Sequence, residues 1–479
     1  MILNSLDNFK ENYFSVIIIG SGPAGISTAL KLEKYKIKTL IIEAGGLDFN
    51  AEKNKNYLKG NIKGFNKDLS NLRVRAFGGT SHLWGGYCNR FEKYQLSDWA
   101  IKYDEIYKYE DECKKILGLK SYHTDFYLKK FSNDFNQYHI RFANNINFKE
   151  NYYDKIKNSK NIFLSLNTNF LFFKGSNKKI SYVECFKDKK KINLKSKFYI
   201  LAAGGIENSR LLLWSKYKNN NLFHKDLPIG NYYMDHPWYQ PAEGFLNYNK
   251  FIEYFAKSGV SREFYIDCLP RVYLSPNKNF RKKNKILNTG IYIRVQDNID
   301  HVNRDYLDKA FCVAPNFFKN KFEKKKINDF FKFIVNLHQE QNPDFNNKII
   351  LSEKKDPDGI PLTNINWLMS EKMKKTAKDS LVGLGNFFIK ENIGRISIDE
   401  HIFGYDTFIQ TFTGTHQMGG TRIGENHKNS VVDKNLKVHF IENLFVTGSS
   451  VFTTSGHNHP TYTIILLSLK LGDHIKKIL

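Results

Sequence analysis

The sequence predicts an α/β fold: a Rossmann-type dinucleotide-binding domain assembled from separate stretches, with a second domain lying between them. Three observations carry this reading. An apolar, β-branched run at residues 15–20 ends in the glycine turn Gly20-Ser21-Gly22-Pro23-Ala24-Gly25 and leads into a helical spacing. Strand-like runs followed by glycine recur at residues 198–205 and 444–448, the latter close to the C-terminus. Between these two, residues 238–345 are aromatic, basic and poorly periodic. Similar sheet pieces therefore bracket a different middle, and the first domain is discontinuous.

The first run is apolar without alternation, which is the pattern of a strand buried on both faces of a parallel sheet. Ile26, Ala29, Leu30 and Leu32 follow at helical spacing, and Thr39-Leu40-Ile41-Ile42 is the next strand. This is one βαβ unit. In such a unit Gly20 makes the tight turn, Gly22 lets the backbone approach a pyrophosphate and Gly25 lets helix and strand pack closely. The helix N-terminus presents free N–H groups to phosphate. Glu43 lies 18 residues beyond Gly25, where an acid accepts from a ribose hydroxyl. The unit alone does not decide between NAD and FAD. A second glycine cluster spans residues 78–86, and residues 101–160 read as mixed, mostly helical. A helix is expected after Gly205, strands between about 238 and 345 with a helix at about 325–338, and an amphipathic helix over 371–391. A last helix runs from about Thr461 to the end.

Composition narrows the function classes. Hydrophobic residues make up 41% and charged residues 25% of 479, which excludes a disordered or collagen-like chain. No run of about 18 uncharged apolar residues is present. The N-terminus lacks a basic region ahead of an apolar stretch, so no signal peptide is read and a cytoplasmic location is expected. Five cysteines without CxxC spacing give neither a disulfide framework nor a zinc site, and no metal site is predicted. The 73 Lys and Arg against 48 Asp and Glu leave a net charge of +25. Lysine-rich solvated faces account for this most simply, and the alternative is a field that attracts an anionic substrate or an anionic surface. Residues 317–333 interleave Phe and Lys. A helix there that packs its Phe side inward is favoured over a face for an anionic bilayer. With no nucleic-acid-binding motif, nucleic acid is not expected as a partner.

The GSGPAG unit, the AFGGTSHLWGG segment (76–86), LAAGGIENSRLLL (201–213), HQMGGTRIG (416–424) and VTGSSVFTTSGHNHPTYTI (446–464) together resemble the glucose–methanol–choline (GMC) oxidoreductase family, in the family's order. Residues 340–362 resemble its substrate domain, closest to the sugar and polyol dehydrogenase branch. The resemblance implies an FAD-binding domain from 1–100, 161–235 and 410–479. It implies an α+β substrate domain with a mainly antiparallel sheet from 101–160 and 236–409. It implies FAD contacts at Gly20, Gly22, Gly25, Glu43, Gly78, Gly79, Thr80, Trp84, Gly85, Ala203, Gly448, Ser449 and Thr461. The implied activity is oxidation of a small-molecule alcohol, a carbohydrate or polyol, with an electron acceptor that the sequence does not name. An anionic or glycan-linked substrate and peripheral membrane contact are the options that the charge leaves open.

The resemblance also places the catalytic pair at His416 and His459, on loops expected to meet at the flavin. Alcohol oxidation must remove a hydroxyl proton as well as a hydride, and an imidazole near its ordinary value of about 6.5 suits the first task. His457, two residues from His459, is expected to play a supporting part. Some family members attach FAD through a histidine four residues after the second glycine. That place is Leu83 here, with His82 one position early, so non-covalent FAD is expected. Gly448 stands where the family often has Asp. Two further readings accompany the leading one: an FAD-retaining lyase of the same fold, and a non-catalytic basic surface-binding flavoprotein.

Overall fold

The computed structural model describes residues 1–6, 13–63, 65–119, 128–138, 140–219, 221–247, 249–251, 265–266, 269–298, 330–404 and 415–479. Five parallel strands form the first sheet, in the spatial order Leu444–Val446, Phe198–Leu201, Val16–Ile19, Thr39–Ile42, Ile162–Ser165. From Val16–Ile19 the chain builds to one side with Thr39–Ile42 and Ile162–Ser165 and then to the other with Phe198–Leu201 and Leu444–Val446. This makes the C-terminal end of Val16–Ile19 a topological switch point, the place where open α/β sheets bind ligands. All four residues of Val16–Ile19 are buried, as the unbroken apolar run requires. Helix Pro23–Glu33 starts directly after the glycine turn, with proline in its first turn, where a missing N–H costs nothing.

A second sheet lies beside the first. It is eight-stranded and antiparallel, running Gly394–Ile398, Trp238–Asn247, Phe330–Gln339, Thr289–Asn298, Leu269–Pro276, Phe135–Tyr138, Leu128–Lys130, with Tyr265–Ile266 added to Leu269–Pro276. The amphipathic helix Glu371–Lys390 packs Met373, Ala377, Leu381, Leu384 and Phe388 into the core of this sheet. Each sheet has its own hydrophobic core. A smaller four-stranded sheet joins them: Gly60–Lys63, from the N-terminal stretch, pairs in parallel with Pro361–Asn366. The last helix spans Thr461–Ile478 and packs against Pro23–Glu33. Among the described residues no helix is long and apolar enough to cross a membrane.

One expected element is of the other type. The helix expected at about 325–338 is, over its described part, the strand Phe330–Gln339, between Trp238–Asn247 and Thr289–Asn298. Phe333, Ile334, Val335, Leu337, His338 and Gln339 are all buried, and a run buried without alternation cannot be told from a buried helix by its periodicity. The basic aromatic stretch up to residue 329 lies outside the described residues.

The glycine turn is packed backbone against backbone. Gly20 has φ +105°, and a Cβ on Gly25 would lie 2.0 Å from the Gly20 carbonyl oxygen. Gly25→Ala must therefore push the helix off the strand. We expect a loss of about 1–3 kcal/mol or more, the range for overpacking, seen as a lower melting temperature and as purified protein that has lost its yellow colour. An alanine variant that stays yellow and melts like the parent would show that the turn tolerates a methyl group.

Candidate active site

A cavity of about 600 Å³ opens at the switch point and runs between the two sheets. Its volume is that of a cofactor site. Gly20, Gly22, Glu43, Gly79, Thr80, Trp84, Gly85, Ala203, Gly448, Ser449, Thr461, His416 and His459 all line it. Gly25 and Gly78 lie behind the wall. Gly25 packs helix on strand, and Gly78, at φ +95°, donates its N–H to the Ser21 carbonyl at 3.1 Å. A Cβ on Gly79 would come within 2.9 Å of the Gly22 Cα, so the two glycine segments meet backbone to backbone. The Glu43 carboxylate is buried and held by the Ser21 N–H (3.1 Å), the Ser21 hydroxyl (2.6 Å) and the Gly45 N–H (2.8 Å). Leu83 lines the cavity, whereas His82 turns its Nε2 to the Phe77 carbonyl at 2.8 Å.

Below one wall lies a buried ion network. Arg210 meets Glu207 at 2.5 Å and Asp356 at 2.6 Å, and Arg73 meets Glu207 at 2.7 Å. Two guanidinium groups face two carboxylates, so the desolvated charges cancel in place. The network ties helix Glu207–Lys218 to the hairpin of Lys348–Lys355 and Pro361–Asn366.

At the other end His416 and His459 come together, with ring centroids 5.0 Å apart. His459 stacks on Tyr87 at 5.1 Å and on His338 at 5.0 Å. Its Nδ1 lies 3.2 Å from the Asn89 side-chain oxygen, which also accepts from its backbone N–H at 2.8 Å. Since that oxygen can only accept, Nδ1 of His459 carries the proton.

His416 has two partners the sequence did not suggest. His236 Nδ1 and His338 Nε2 each lie 3.0 Å from His416 Nδ1. The outer nitrogens of those two rings face carbonyls. His236 Nε2 lies 3.2 Å from the Ser455 oxygen and 2.9 Å from that of Gly456, and His338 Nδ1 lies 2.8 Å from the His457 oxygen. Carbonyls only accept, so each neutral ring spends its one N–H outward and turns a lone pair towards His416. The proton between them must sit on His416 Nδ1, shared by two acceptors. That leaves Nε2 of His416 as a lone pair, with no protein partner among the described residues.

Burial sets the charge state. It lowers the basicity of His236 to about 4 and of His459 to about 3, and it drives His338, His416 and His457 well below the ordinary imidazole value; the neighbouring histidines add to the effect for His338, His416 and His459. A base near its ordinary value was expected; desolvation in a cluster of imidazoles replaces it with a weaker base that is neutral across the physiological range. His457 does not reach the cavity. Its Nδ1 accepts from the Asn288 amide at 2.9 Å.

His236, His338 and Asn89 escaped the sequence reading because nothing in their local patterns marks them. His236 lies just before the strand Trp238–Asn247, His338 lies within the strand Phe330–Gln339, and Asn89 lies in a loop. Only the third dimension assembles them.

A glycine-lined cavity at a parallel switch point, with a histidine pair at its wall, is an arrangement in which a dinucleotide can lie along the glycines with one end at the histidines. Residues 343–468 match the GMC oxidoreductase family model. The fructose dehydrogenase large subunit of Gluconobacter japonicus is 26% identical over 302 residues, 60% of this chain and 48% of that protein. The 2-methyl-1,2-propanediol dehydrogenase of Mycolicibacterium austroafricanum is 26% identical over 293 residues, 59% of this chain and 48% of that protein. These alignments span about half the length of the curated relatives. Formate oxidase of Aspergillus oryzae superposes with a TM-score of 0.59 at 14% identity, covering 98% of this chain and 99% of that one. Pyridoxine 4-oxidase of Mesorbium loti does so with 0.58 at 13%, covering 96% and 99%. Over residues 343–468 the chain is similar to the GMC oxidoreductases, and its fold is that of the superposed oxidases.

FAD is the cofactor of this family, and the cavity fits it. The backbone-to-backbone approach of Gly22 and Gly79 leaves room for a pyrophosphate at the N-terminus of Pro23–Glu33. Glu43 sits at the end of the second strand, where a ribose hydroxyl can reach its remaining lone pairs. His416, His459 and Trp238 are left to face the reactive end.

The neutral histidines predict how stability varies with pH. Each binds a proton more weakly folded than unfolded, so the unfolded state takes up more protons below about pH 6.5. Stability should be fully present above that value and fall as pH drops from about 6.5 towards the folded values, near 4 for His236 and 3 for His459. A melting temperature that declines over this window is expected. A melting temperature constant from pH 7 to 4.5 would mean that these rings are charged in the folded state.

Proposed function

We propose that this chain is an FAD-dependent oxidoreductase that oxidises a CH–OH group of a carbohydrate or polyol, with His416 as the base. The observation that carries the reading is the fixed tautomer of His416: Nδ1–H held by two imidazole lone pairs, and Nε2 open on the cavity wall beside His459. The names of the two curated relatives, a fructose dehydrogenase and a diol dehydrogenase, support the substrate class.

When bound, FAD supplies the acceptor for the carbon-bound hydride. The protein's part is to place the alcohol and take its proton. His416 Nε2 accepts the hydroxyl proton, and the ring becomes an imidazolium. The charge is met where it forms, because Nδ1–H already points at the lone pairs of His236 and His338. These two rings thus do for His416 what a carboxylate does for a triad histidine: they hold the tautomer and the plane. His459, with Nδ1 pinned by Asn89, turns its own Nε2 lone pair to the same space and helps hold the substrate. Trp238 and Tyr87 wall the site with aromatic faces and exclude water. Leu83 at the cavity, with His82 turned to the Phe77 carbonyl, supports non-covalent FAD.

An anaerobic screen of sugars and polyols for bleaching of the flavin absorbance tests the reading, since an oxidation bleaches it and a lyase reaction does not. Bleaching by a polyol or sugar is expected; no bleaching by any member of either class, in protein that holds flavin, would overturn it. In rapid mixing with the bleaching alcohol, His416→Asn should slow flavin reduction by about 10²–10⁴, the span of general base catalysis. His459→Asn should cost about tenfold or less, because an amide can replace its hydrogen bond. The rate in the parent should be flat above about pH 6.5 and fall only below it, since the depressed basicity of His416 keeps its active neutral form there. A larger effect at His459 would exchange the two roles.

Acid precipitation checks the mode of FAD attachment. The flavin is expected in the supernatant, and flavin retained in the denatured pellet would identify a covalent bond.

A further inference from the structure

We propose that His236, His338 and His416 form a binding site for a divalent transition-metal ion, of the zinc or copper class, and that an ion there silences His416 as a base. The site stands on its own geometry; the silencing rests on the function proposed above.

The donor nitrogens converge. His236 Nδ1 and His338 Nε2 both lie 3.0 Å from His416 Nδ1, and all three lie within 4.8 Å of one another. Zinc–imidazole bonds of about 2.0–2.1 Å in a tetrahedron separate neighbouring nitrogens by about 3.3–3.4 Å. The two 3.0 Å separations need to open by only a few tenths of an ångström. Metal-bound imidazoles ordinarily donate their other N–H to a carbonyl or carboxylate, which fixes ring and tautomer. That shell is already in place here, on the carbonyls of Ser455, Gly456 and His457. Two of the three lone pairs point inward before any ion arrives. Burial keeps all three rings neutral, the form that ligates.

Charge and access agree. Asp235 Oδ1 accepts from the backbone N–H of His236 (2.7 Å) and of His416 (2.9 Å), which anchors a carboxylate beside the cluster. His416 lines the cavity while His236 and His338 lie buried behind it, so an ion reaches the three nitrogens only by passing the His416 ring. Three imidazoles suit zinc or copper and hold no oxygen donor set for calcium or magnesium.

Binding changes the tautomer of His416 without changing its charge. The ion takes the Nδ1 lone pair, and the proton that sat on Nδ1 moves to Nε2 of the same ring. No electron is transferred. Nε2 is then a donor and cannot accept from an alcohol. A proton shared by three imidazoles and a metal shared by the same three are thus alternative occupants of one place.

The test is equilibrium dialysis of the yellow holoenzyme against zinc chloride, with metal analysis of the protein. In parallel, cobalt chloride is titrated and the visible bands of tetrahedral cobalt are followed at wavelengths beyond the flavin. One ion per chain is expected, with flavin reduction by the alcohol falling in proportion to occupancy and recovering with EDTA. His236→Gln and His338→Gln should each weaken zinc binding by at least about tenfold, the effect of losing even an outer partner. Flavin content and melting temperature verify that each variant is folded. His427→Gln removes one member of a second group, His224, Asp226 and His427, and should leave this binding unchanged. Two outcomes overturn the site: a parent protein that takes up no stoichiometric zinc, or binding that His427→Gln abolishes and His338→Gln keeps. Zinc bound at the cluster with flavin reduction undiminished would uphold the site and contradict His416 as the base.

Discussion

The backbone of Ser455, Gly456 and His457 decides what the histidines around it can do. Three carbonyls in a row consume the only N–H of His236 and of His338, and the consequence passes inward as two lone pairs aimed at one nitrogen of His416. The same segment is the bridge between the sheets. It follows the strand Leu444–Val446 of the parallel sheet and precedes the helix Thr461–Ile478. On the way the Ser455 hydroxyl exchanges hydrogen bonds with the backbone of Gln341 at 2.9 and 3.1 Å. The Asn458 amide donates to the Arg90 carbonyl at 2.7 Å. A segment tied at this many points cannot move one carbonyl without moving both domains. The tautomer of a single ring is therefore a property of the whole assembly.

Two different solutions to buried polarity sit at the two ends of the cavity. Near Glu207 the protein keeps full charges and pairs them, two arginines against two acids. Near His416 the rings themselves are neutral, and one proton on His416 Nδ1 is shared between two lone pairs. The first arrangement is rigid and indifferent to protons. The second is poised: adding one proton, or exchanging it for a metal ion, changes the state of the site with little movement of atoms. On the function proposed above, an end built this way would receive a proton from substrate and pass it on.

Much of this was legible in the sequence, for reasons that can be named. The βαβ unit is local, so the run at 15–20, the glycine spacing and Glu43 sit within 30 residues and carry their own geometry. His416 and His459 are 43 residues apart, yet each lies in a distinctive motif, so the resemblance located both. His236 and His338 lie 102 residues apart in the unpatterned middle, and they matter only because the antiparallel sheet brings them beneath the 455–457 carbonyls. Over residues 330–338 a strand stands where the pattern suggests a helix, because the Phe and Lys residues mimic an amphipathic face and the buried positions do not alternate. The lowered basicity of His416 is not legible in the sequence either, since a histidine in a motif says nothing of the three other imidazoles packed against it.

Nitrogen-15 resonances of histidine-labelled holoenzyme read the tautomer of His416 directly. The signals of His416 are those that disappear in His416→Asn. The account predicts a protonated, pyrrole-like Nδ1 and an unprotonated, pyridine-like Nε2 near neutral pH. A pyridine-like Nδ1 with the proton on Nε2, in metal-free protein, would contradict it.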